Sequence, residues 1–221
     1  MTRRRRWLWM LLAAVVVVML GWSQREWIVA RLYLWTLESS PRVAELQVER
    51  VVAALRIQPG QSVADLGAGT GLFARAFSSE VGASGTVYAV DVNEKLLAHI
   101  EHDAERRDLD NIRVVHATAD DARIPQLVDL VFVCDTLHHI ENRGPYLRGL
   151  RRYLKPGGRL AIIDPAENAP HIDAVVVPSM RYTMSELDAW MRDADFELAE
   201  TYDFPEDYFF MIFTCRSCPA P

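Results

Sequence analysis

The sequence predicts an α/β fold in which helices alternate with the strands of a mostly parallel, doubly wound sheet. The first observation is a mostly apolar stretch at residues 63–66, which includes Asp65 and leads into a glycine-rich turn at residues 67–71. The second is another apolar run, residues 86–90, which ends on Asp91. The third is a helical pattern between the two, beginning at Leu72. This order of strand, glycine turn, helix and strand is typical of the first half of such a sheet.

The glycine turn predicts a ligand site at the carboxyl end of the first strand. Gly67, Gly69 and Gly71 lack side chains, so the backbone can approach a ligand and the following helix presents free N–H groups. Asp91 ends the second strand, where a carboxylate is well placed to bind ribose hydroxyls. The ligand predicted from this half of the sheet therefore contains a nucleoside.

The spacing of the glycines argues against a dinucleotide. They read G-x-G-x-G, whereas the dinucleotide fingerprint is G-x-G-x-x-G. Asp65 stands just before them, and its carboxylate would repel a pyrophosphate but attract a cationic amino-acid group. This combination disfavours nicotinamide dinucleotides as the ligand.

With these residues in view, residues 65–71 resemble motif I of the class I S-adenosylmethionine-dependent methyltransferases. Similarity to that family spans about residues 47–165 and continues more weakly to residue 215. The resemblance implies a Rossmann-like, seven-stranded, mostly parallel sheet closed by a C-terminal antiparallel hairpin, with S-adenosylmethionine as cofactor. The contacts it implies are Asp65, Gly67, Ala68, Gly69 and Gly71 for the amino-acid part, Asp91 for the ribose with Val92 beside it, and Asp120 for the adenine.

The third predicted strand, residues 112–116, leads into two adjacent acids, Asp120 and Asp121. In the resembling family, an Asp five residues before a proline such as Pro125 lies at the strand end and meets the adenine amino group. Asp120 occupies that position here, and Asp121 is the neighbour that could substitute for it. The alternative is an ordinary solvated turn.

The fourth predicted strand, residues 128–134, is followed by Asp135, His138 and His139. In an open α/β sheet the ligand crevice lies outside the carboxyl ends of the strands, so these side chains should border it. The resemblance places this stretch near the methionine part of the donor and the acceptor, with Asp135 among the cofactor contacts. His138 is the candidate general base, because histidine takes up a proton near neutral pH. The alternative is that the histidines only hydrogen-bond the following helix.

The remaining elements follow in order. A helix at residues 43–56 precedes the first strand, and a helix capped by Asn93 follows the second. The loop at residues 165–181 would overhang the crevice and is the candidate acceptor lid. The other predicted elements are a helix at 145–154, a helix stop and turn at 155–158, a strand at 159–164, a helix at 184–194 capped by Thr183, and hairpin strands at 196–202 and 208–215.

The first forty residues lie outside the resemblance, so we divide the chain into an anchor region at residues 1–40 and a methyltransferase domain at residues 41–221. Four arginines precede an uncharged apolar run at residues 7–22, with tryptophans near both ends, and residues 23–40 read as a juxtamembrane helix. The pattern predicts a membrane anchor, with an interfacial helix or a cleaved signal peptide as alternatives.

The sequence does not decide on which side of the membrane the body of the chain lies. The arginines favour a cytoplasmic N-terminus, which would send the body of the chain across the membrane. A methyltransferase, however, needs a donor that is made in the cytoplasm. The two arguments point to opposite sides.

Charge and cysteine content exclude several classes of function. The chain carries a formal net charge of −6, and outside residues 1–22 it holds 20 basic and 30 acidic residues. Such an acidic body is a poor partner for nucleic acid, and the chain also lacks the Asn-Pro-Pro-Tyr of family members that methylate nucleic-acid amines. Cys215 and Cys218 have C-x-x-C spacing without a second pair, so we predict a frayed tail, with no metal site and no disulfide framework.

We therefore predict an S-adenosylmethionine-dependent methyltransferase that acts on a small molecule, without metal or nucleic acid. By pattern it is most similar to small-molecule methyltransferases, including those of quinone biosynthesis, and an anchor beside the domain suggests a lipophilic acceptor. One alternative is a membrane-tethered protein that binds the donor without catalysis. A second is an NAD-dependent oxidoreductase, which the glycine spacing disfavours.

Overall fold

The computed structural model describes residues 46–167, 181–204, 207–216 and 218. The predicted anchor at residues 7–22, the juxtamembrane helix and the domain boundary at residue 40 lie outside these ranges, as does most of the predicted acceptor lid. Within the described ranges, no helix is both long enough and apolar enough to cross a membrane.

Within these described ranges, seven strands form one sheet. In chain order they are β1 Ser62–Leu66, β2 Thr86–Asp91, β3 Ile112–His116, β4 Val128–Cys134, β5 Leu154–Pro165, β6 Phe196–Tyr202 and β7 Tyr208–Cys215. Across the sheet their order is β3-β2-β1-β4-β5-β7-β6. The first five strands run parallel, and β7 lies antiparallel between β5 and β6. The prediction of a Rossmann-like sheet with a C-terminal antiparallel hairpin is confirmed.

Helices cover the sheet where the sequence alternates between strand and helix patterns. In the described residues they are α1 Val48–Leu55, α2 Leu72–Val81, α3 Glu94–Arg106, α4 Arg143–Leu150 and α5 Met184–Asp193, with short 3-10 helices at Leu137–His139 and Arg151–Tyr153. Both predicted caps are present. The Asn93 side chain accepts the backbone N–H of Lys95, and Thr183 forms a reciprocal capping box with Glu186.

The central strands are apolar on both faces, because a parallel sheet covered by helices is buried on both sides. Successive residues of β4 illustrate this: Val131 packs into one cluster of buried side chains and Phe132 into the other. The Phe132 ring lies against α2, with its centroid 4.7 Å from that of Phe73 and 5.1 Å from that of Phe77. The aromatic triad therefore fixes α2, and with it the glycine turn that begins α2, to the middle of the sheet.

Helical structure continues through the 3-10 helix to Tyr153, one residue before the predicted end of the helix, but the prediction of a turn at residues 155–158 is wrong. Helix α4 ends at Leu150, and β5 already begins at Leu154. Val128 of β4 pairs with Leu154, while Leu130 pairs with Arg159, so a bulge on β5 absorbs the intervening residues. Pairing with the neighbouring strand thus overrides the local turn preference of the proline and glycines.

The prediction of a frayed tail at the second C-x-x-C cysteine is also wrong. Cys215, the last residue of β7, and Cys218 form a disulfide bond. Cys215 is buried, and Cys218 packs against the same hydrophobic cluster. The bond closes a short loop after the strand. The sequence did not predict this bond, because C-x-x-C spacing also occurs in metal-binding and redox motifs.

We expect Phe132→Ala to lower the free energy of unfolding by about 3–5 kcal/mol, because the ring is fully buried against two other aromatic rings. Urea denaturation followed by circular dichroism measures this change. Glu101→Ala, at an exposed position of α3, is the control and should stay within about 0.5 kcal/mol. A loss below about 1 kcal/mol for Phe132→Ala would contradict the packing described here.

Candidate functional site

Parallel pairing brings the carboxyl ends of four strands to one edge of the sheet. Leu66 of β1 pairs with Val90 of β2 and with Val133 of β4, and Cys134 of β4 pairs with Ile163 of β5. The residues that follow these positions therefore face the crevice in which an open α/β sheet binds its ligand. They include the glycine turn, Asp91, Asp135 and Asp164.

The glycine turn needs glycine for two separate reasons. Gly67, Gly69 and Gly71 have φ angles of +75°, +57° and +80°, which side-chain-bearing residues rarely adopt. At Gly67 there is also no space, because an added Cβ would lie 2.2 Å from Oγ1 of Thr136. At Gly69 the surroundings are open, since a Cβ there would come no closer than 3.9 Å to the carbonyl oxygen of Gly67. The turn thus leaves backbone accessible on its ligand side.

Asp91 connects the glycine turn to the end of β2. Its carboxylate accepts the backbone N–H of Gly69 at 3.0 Å and that of Asn93 at 2.8 Å. Each carboxylate oxygen keeps a further lone pair, so the group can also accept hydrogen bonds from a ribose diol. Val92, the next residue, is 60% exposed and offers an apolar surface beside this position.

Asp65 is a buried carboxyl group at the end of β1. Among the described residues, none donates a hydrogen bond to its Oδ2 atom. Burial raises the pKa of Asp65 to about 7, the charge of Asp91 adds to the rise, and a backbone hydrogen bond from Ala74 and the charge of Arg75 oppose it. A cationic ligand group at this position would favour the ionised form.

The two acids after β3 have different environments. Asp120 is exposed and is available to a ligand. The Asp121 carboxylate is already engaged within the protein, because it accepts hydrogen bonds from Tyr153, Arg152 and the backbone N–H of Arg123. Burial alone would raise the pKa of Asp121, but these three donors outweigh it and the pKa is lowered. Asp120 is therefore the better placed of the two predicted adenine contacts.

The segment after β4 is held in a constrained conformation. Asp135 has a φ angle of +52°, unusual for a residue with a side chain, and its backbone N–H donates to the carbonyl of Ile163 at 2.8 Å. His138 is only 5% exposed, whereas His139 is exposed, and their ring centroids lie 4.1 Å apart. The two histidines thus differ in accessibility even though they are adjacent.

Asp164, at the end of β5, organises this segment and was not among the predicted site residues. Its side chain is fully buried. Oδ1 accepts the backbone N–H of Thr136 at 3.1 Å and lies 3.0 Å from Nδ1 of His138. Oδ2 accepts the backbone N–H of His138 at 3.1 Å and the hydroxyl of Tyr182 at 2.7 Å. The rule that strand ends line the crevice could have identified it, because β5 ends there.

Arg143, at the start of α4, contacts the segment after β4 that contains His138. Its guanidinium donates to the carbonyls of Leu137 and His138, at 3.2 Å and 2.7 Å. The guanidinium carbon also lies 5.2 Å from the ring centroid of Tyr182 and 5.9 Å from that of Trp190, within cation–π range. Hydrogen bonds and aromatic contacts therefore fix the backbone around His138 from a second helix.

Asp135, His138 and Asp164 place metal-ligand atoms within 4.8 Å of one another. The donors around Asp164 point to a different role, since both of its oxygens already accept hydrogen bonds from Thr136, His138 and Tyr182. A cation would have to displace these donors. We therefore describe the group as a hydrogen-bonded network.

The structure thus brings most of the predicted site residues to one edge of the sheet. Asp65, the glycine turn, Asp91 and Asp135 follow from the ends of paired strands. Their roles as cofactor contacts stay predictions, as does the role of His138 as a base. The residues that sequence reasoning missed are Thr136, Arg143, Asp164 and Tyr182.

S-adenosylmethionine is compatible with this arrangement. Its ammonium group would meet the buried Oδ2 of Asp65, and its ribose diol would meet Asp91. The accessible backbone of the glycine turn leaves space for the amino-acid part between them. The acidic residues present therefore match the cationic and hydroxyl groups of this molecule.

Comparison with known proteins agrees with the fold and the motif. A family described as a methyltransferase domain matches residues 64–162. The ubiquinone/menaquinone biosynthesis C-methyltransferase UbiE of Cupriavidus metallidurans is 35% identical over 118 residues, which cover 51% of this chain and 46% of that protein. The demethylmenaquinone methyltransferase of Listeria welshimeri is 31% identical over 132 residues, which cover 59% and 56%. The chain thus spans about half the length of these relatives.

A solved structure extends the similarity over most of the chain. The S-adenosylmethionine-dependent methyltransferase from Aquifex aeolicus superimposes with a TM-score of 0.72 and 26% identity, and the match covers 82% of this chain and 96% of that one. The glycine turn, the strand-end acids and the seven-stranded sheet all lie within the part of the chain that the structure describes. Residues 64–162 therefore match a methyltransferase domain, and the class I methyltransferases to which the chain is similar use S-adenosylmethionine as the methyl donor.

Proposed function

We propose that this protein transfers a methyl group from S-adenosylmethionine to a small, lipophilic acceptor of the quinone type. The proposal of S-adenosylmethionine as donor rests on the arrangement of Asp65, the glycine turn and Asp91 at one edge of the sheet. The acceptor class is supported by the names of two relatives, a ubiquinone/menaquinone biosynthesis C-methyltransferase and a demethylmenaquinone methyltransferase. An apolar segment at residues 7–22 is consistent with an acceptor that resides in a membrane.

The donor supplies a methyl group already activated on a positively charged sulfur. The methyl group passes to the acceptor without the bonding electron pair, which stays on sulfur, and the acceptor loses one proton. The chain contributes by holding the two partners in line, and alignment of this kind can supply several kcal/mol, up to about 7–11 kcal/mol. Asp65, Asp91 and Asp120 would fix the donor at its ammonium, ribose and adenine groups.

His138 is the proposed acceptor of the released proton. Its ring lies at the carboxyl end of β4, next to the segment that borders the crevice, and Asp164 holds its Nδ1 atom. Methylation at carbon, the activity in the name of the first relative, releases a proton from the acceptor. A general base such as His138 would accept that proton. A carboxylate–imidazole pair of this kind favours proton uptake at Nε2.

The proposed location is a membrane surface reached through residues 7–22. Four arginines followed by this uncharged run, with tryptophans near both ends, support the proposal. An anchored domain would act on a quinone-type acceptor without extracting it from the bilayer.

Asp91→Ala should weaken binding of S-adenosylmethionine by about 10-fold to 100-fold, because hydrogen bonds to a charged group contribute about 1.5–3 kcal/mol. Isothermal titration calorimetry measures this. Asp110→Ala removes an equal charge before β3, at the opposite end of the sheet, and should bind like the wild type. Equal affinity of the Asp91 variant and the wild type would refute the proposed ribose contact. Absence of binding by the folded wild type would refute the proposed function.

We also expect a pH dependence that originates at Asp65. Its pKa of about 7 in the folded protein exceeds its ordinary value of 3.8, so the folded state binds more protons between those values and stability falls as pH rises through this window. Donor binding should change in the opposite sense, strengthening several-fold from pH 6 to 7.5 as Asp65 ionises and attracts the ammonium group.

Asp65→Asn is the test of this pH dependence. The variant should lose most of the fall in stability between pH 4 and 7, measured by urea denaturation, and should bind the donor with a flatter pH profile in calorimetry. The comparison also corrects for titration of the donor itself, which is the same in both proteins. An unchanged pH profile in the variant would show that Asp65 does not meet the ammonium group.

Val16→Asp combined with Val17→Asp should release the protein from membranes, because each buried charge costs about 2.5–3.5 kcal/mol in an inserted helix. Flotation with vesicles of phosphatidylethanolamine and phosphatidylglycerol measures the bound fraction. Leu198→Asp with Ala199→Asp adds the same charge at exposed positions of β6 and should float with the wild type. If the residue 16 and 17 variant floats as well as the wild type, the proposed anchor is wrong.

A further inference from the structure

The buried carboxyl group of Asp164 is surrounded by four hydrogen-bonding groups. Two are backbone N–H groups, from Thr136 and His138, and they fix the segment after β4. The others are Nδ1 of His138 and the hydroxyl of Tyr182. The two backbone N–H groups can only donate hydrogen bonds and an ionised carboxylate can only accept them, so this geometry matches the ionised form.

This arrangement determines which ring nitrogen of His138 is basic. Nδ1 faces the carboxylate and therefore holds the proton that it donates to Oδ1 of Asp164. The lone pair that takes up a further proton is then on Nε2. The strength with which Asp164 attracts the resulting positive charge sets how readily that proton is taken up.

Tyr182 adjusts that strength. Burial, together with the charge of Asp164 and the hydrogen bond to it, raises the pKa of Tyr182 far above its ordinary value. The hydroxyl therefore keeps its proton and donates permanently to Oδ2 of Asp164 at 2.7 Å. A donor on one carboxylate oxygen withdraws charge from the other, which weakens the attraction that His138 experiences.

The position of Tyr182 is fixed independently of His138. The next residue, Thr183, begins α5 with a capping box, which holds the backbone in place. The Tyr182 ring packs against Trp190, with centroids 5.5 Å apart, and against the guanidinium of Arg143. The hydroxyl is thus presented to Asp164 by a helix and an aromatic cluster that lie outside the segment after β4.

Among the described residues, three other charged or titratable side chains lie near His138. Arg143 donates to its carbonyl, the ring of His139 stacks beside it, and Asp135 has a ligand-type atom within 4.8 Å of those of His138 and Asp164. The changes at Tyr182 and at Asp164 replace none of these groups, so each keeps its own charge in both variants.

We infer that Tyr182 is a positioning residue that acts through Asp164 to limit the basicity of His138 in the methyl transfer proposed above. The inference rests on that proposed function for its catalytic meaning, but the electrostatic coupling exists in the protein alone. Removing the Tyr182 hydroxyl leaves the charge of Asp164 less compensated, so His138 holds its proton more strongly. Removing the charge of Asp164 has the opposite effect. The two substitutions therefore shift the protonation of the same ring in opposite directions.

The test is an NMR titration of the histidine ring protons in the full chain. Of the six histidines, the signal of His138 is assigned by its loss in His138→Gln. Relative to the wild type, Tyr182→Phe should raise the midpoint of the His138 titration by about 0.5 unit or more, and Asp164→Asn should lower it by about one unit or more. Tyr202→Phe, which removes a hydroxyl that donates to Glu200, should leave it unchanged.

An unchanged or lowered midpoint of the His138 titration in Tyr182→Phe overturns the inference. If Asp164→Asn does not fold, the Tyr182→Phe result alone decides the test. The second readout is the pH dependence of kcat with S-adenosylmethionine and a 2-prenyl-1,4-naphthohydroquinone. Its acid limb should move to higher pH in Tyr182→Phe, whereas a purely structural role would lower kcat at every pH without moving the limb. A wild type that transfers no methyl group refutes the proposed function, while the titration still tests the coupling.

Discussion

The carboxylate of Asp164 is the interaction on which both halves of the candidate site depend. Through the backbone N–H groups of Thr136 and His138 it sets the path of the chain after β4. Thr136 in turn packs where Gly67 has no side chain, so the same segment sets the space available to the glycine turn. One buried charge at the end of β5 therefore links the residues proposed to hold the donor with the residue proposed to take up a proton.

Three buried or nearly buried aspartates at the sheet edge are distinguished by their donors. Asp164 is fully supplied with hydrogen bonds, Asp91 is partly supplied by two backbone N–H groups, and the Oδ2 atom of Asp65 receives none from the described residues. The first is suited to a structural role, the second to holding the turn while it binds hydroxyls, and the third to receiving a cation. Identical side chains thus acquire separate roles from their surroundings.

The sequence predicted the elements whose determinants are local. The hydrophobic pattern predicts the strands around the glycine turn and the helix that follows it. The turn itself is recognised because its positions favour glycine. The candidate donor contacts were found because they sit at strand ends within a recognisable motif.

What the sequence did not reveal depends on contacts between distant segments. Asp164 joins to His138 across 26 residues of chain and Tyr182 joins to Asp164 across 18, and no periodic pattern records such pairings. The early start of β5 depends on pairing with β4, and the choice between Asp120 and Asp121 depends on Tyr153 and Arg152 from a later turn. The disulfide of Cys215 requires that Cys218 folds back onto the hydrophobic cluster. Tertiary contacts decided each of these cases.

This domain is proposed to transfer a methyl group to a quinone-type acceptor. The direct measurement is mass spectrometry of the full chain incubated with S-adenosylmethionine bearing a trideuterated methyl group and a 2-prenyl-1,4-naphthohydroquinone in lipid vesicles. We expect S-adenosylhomocysteine and a hydroquinone carrying one trideuterated methyl group to form in equal amounts. Donor that binds to the folded protein but yields no S-adenosylhomocysteine with this acceptor would contradict the claim.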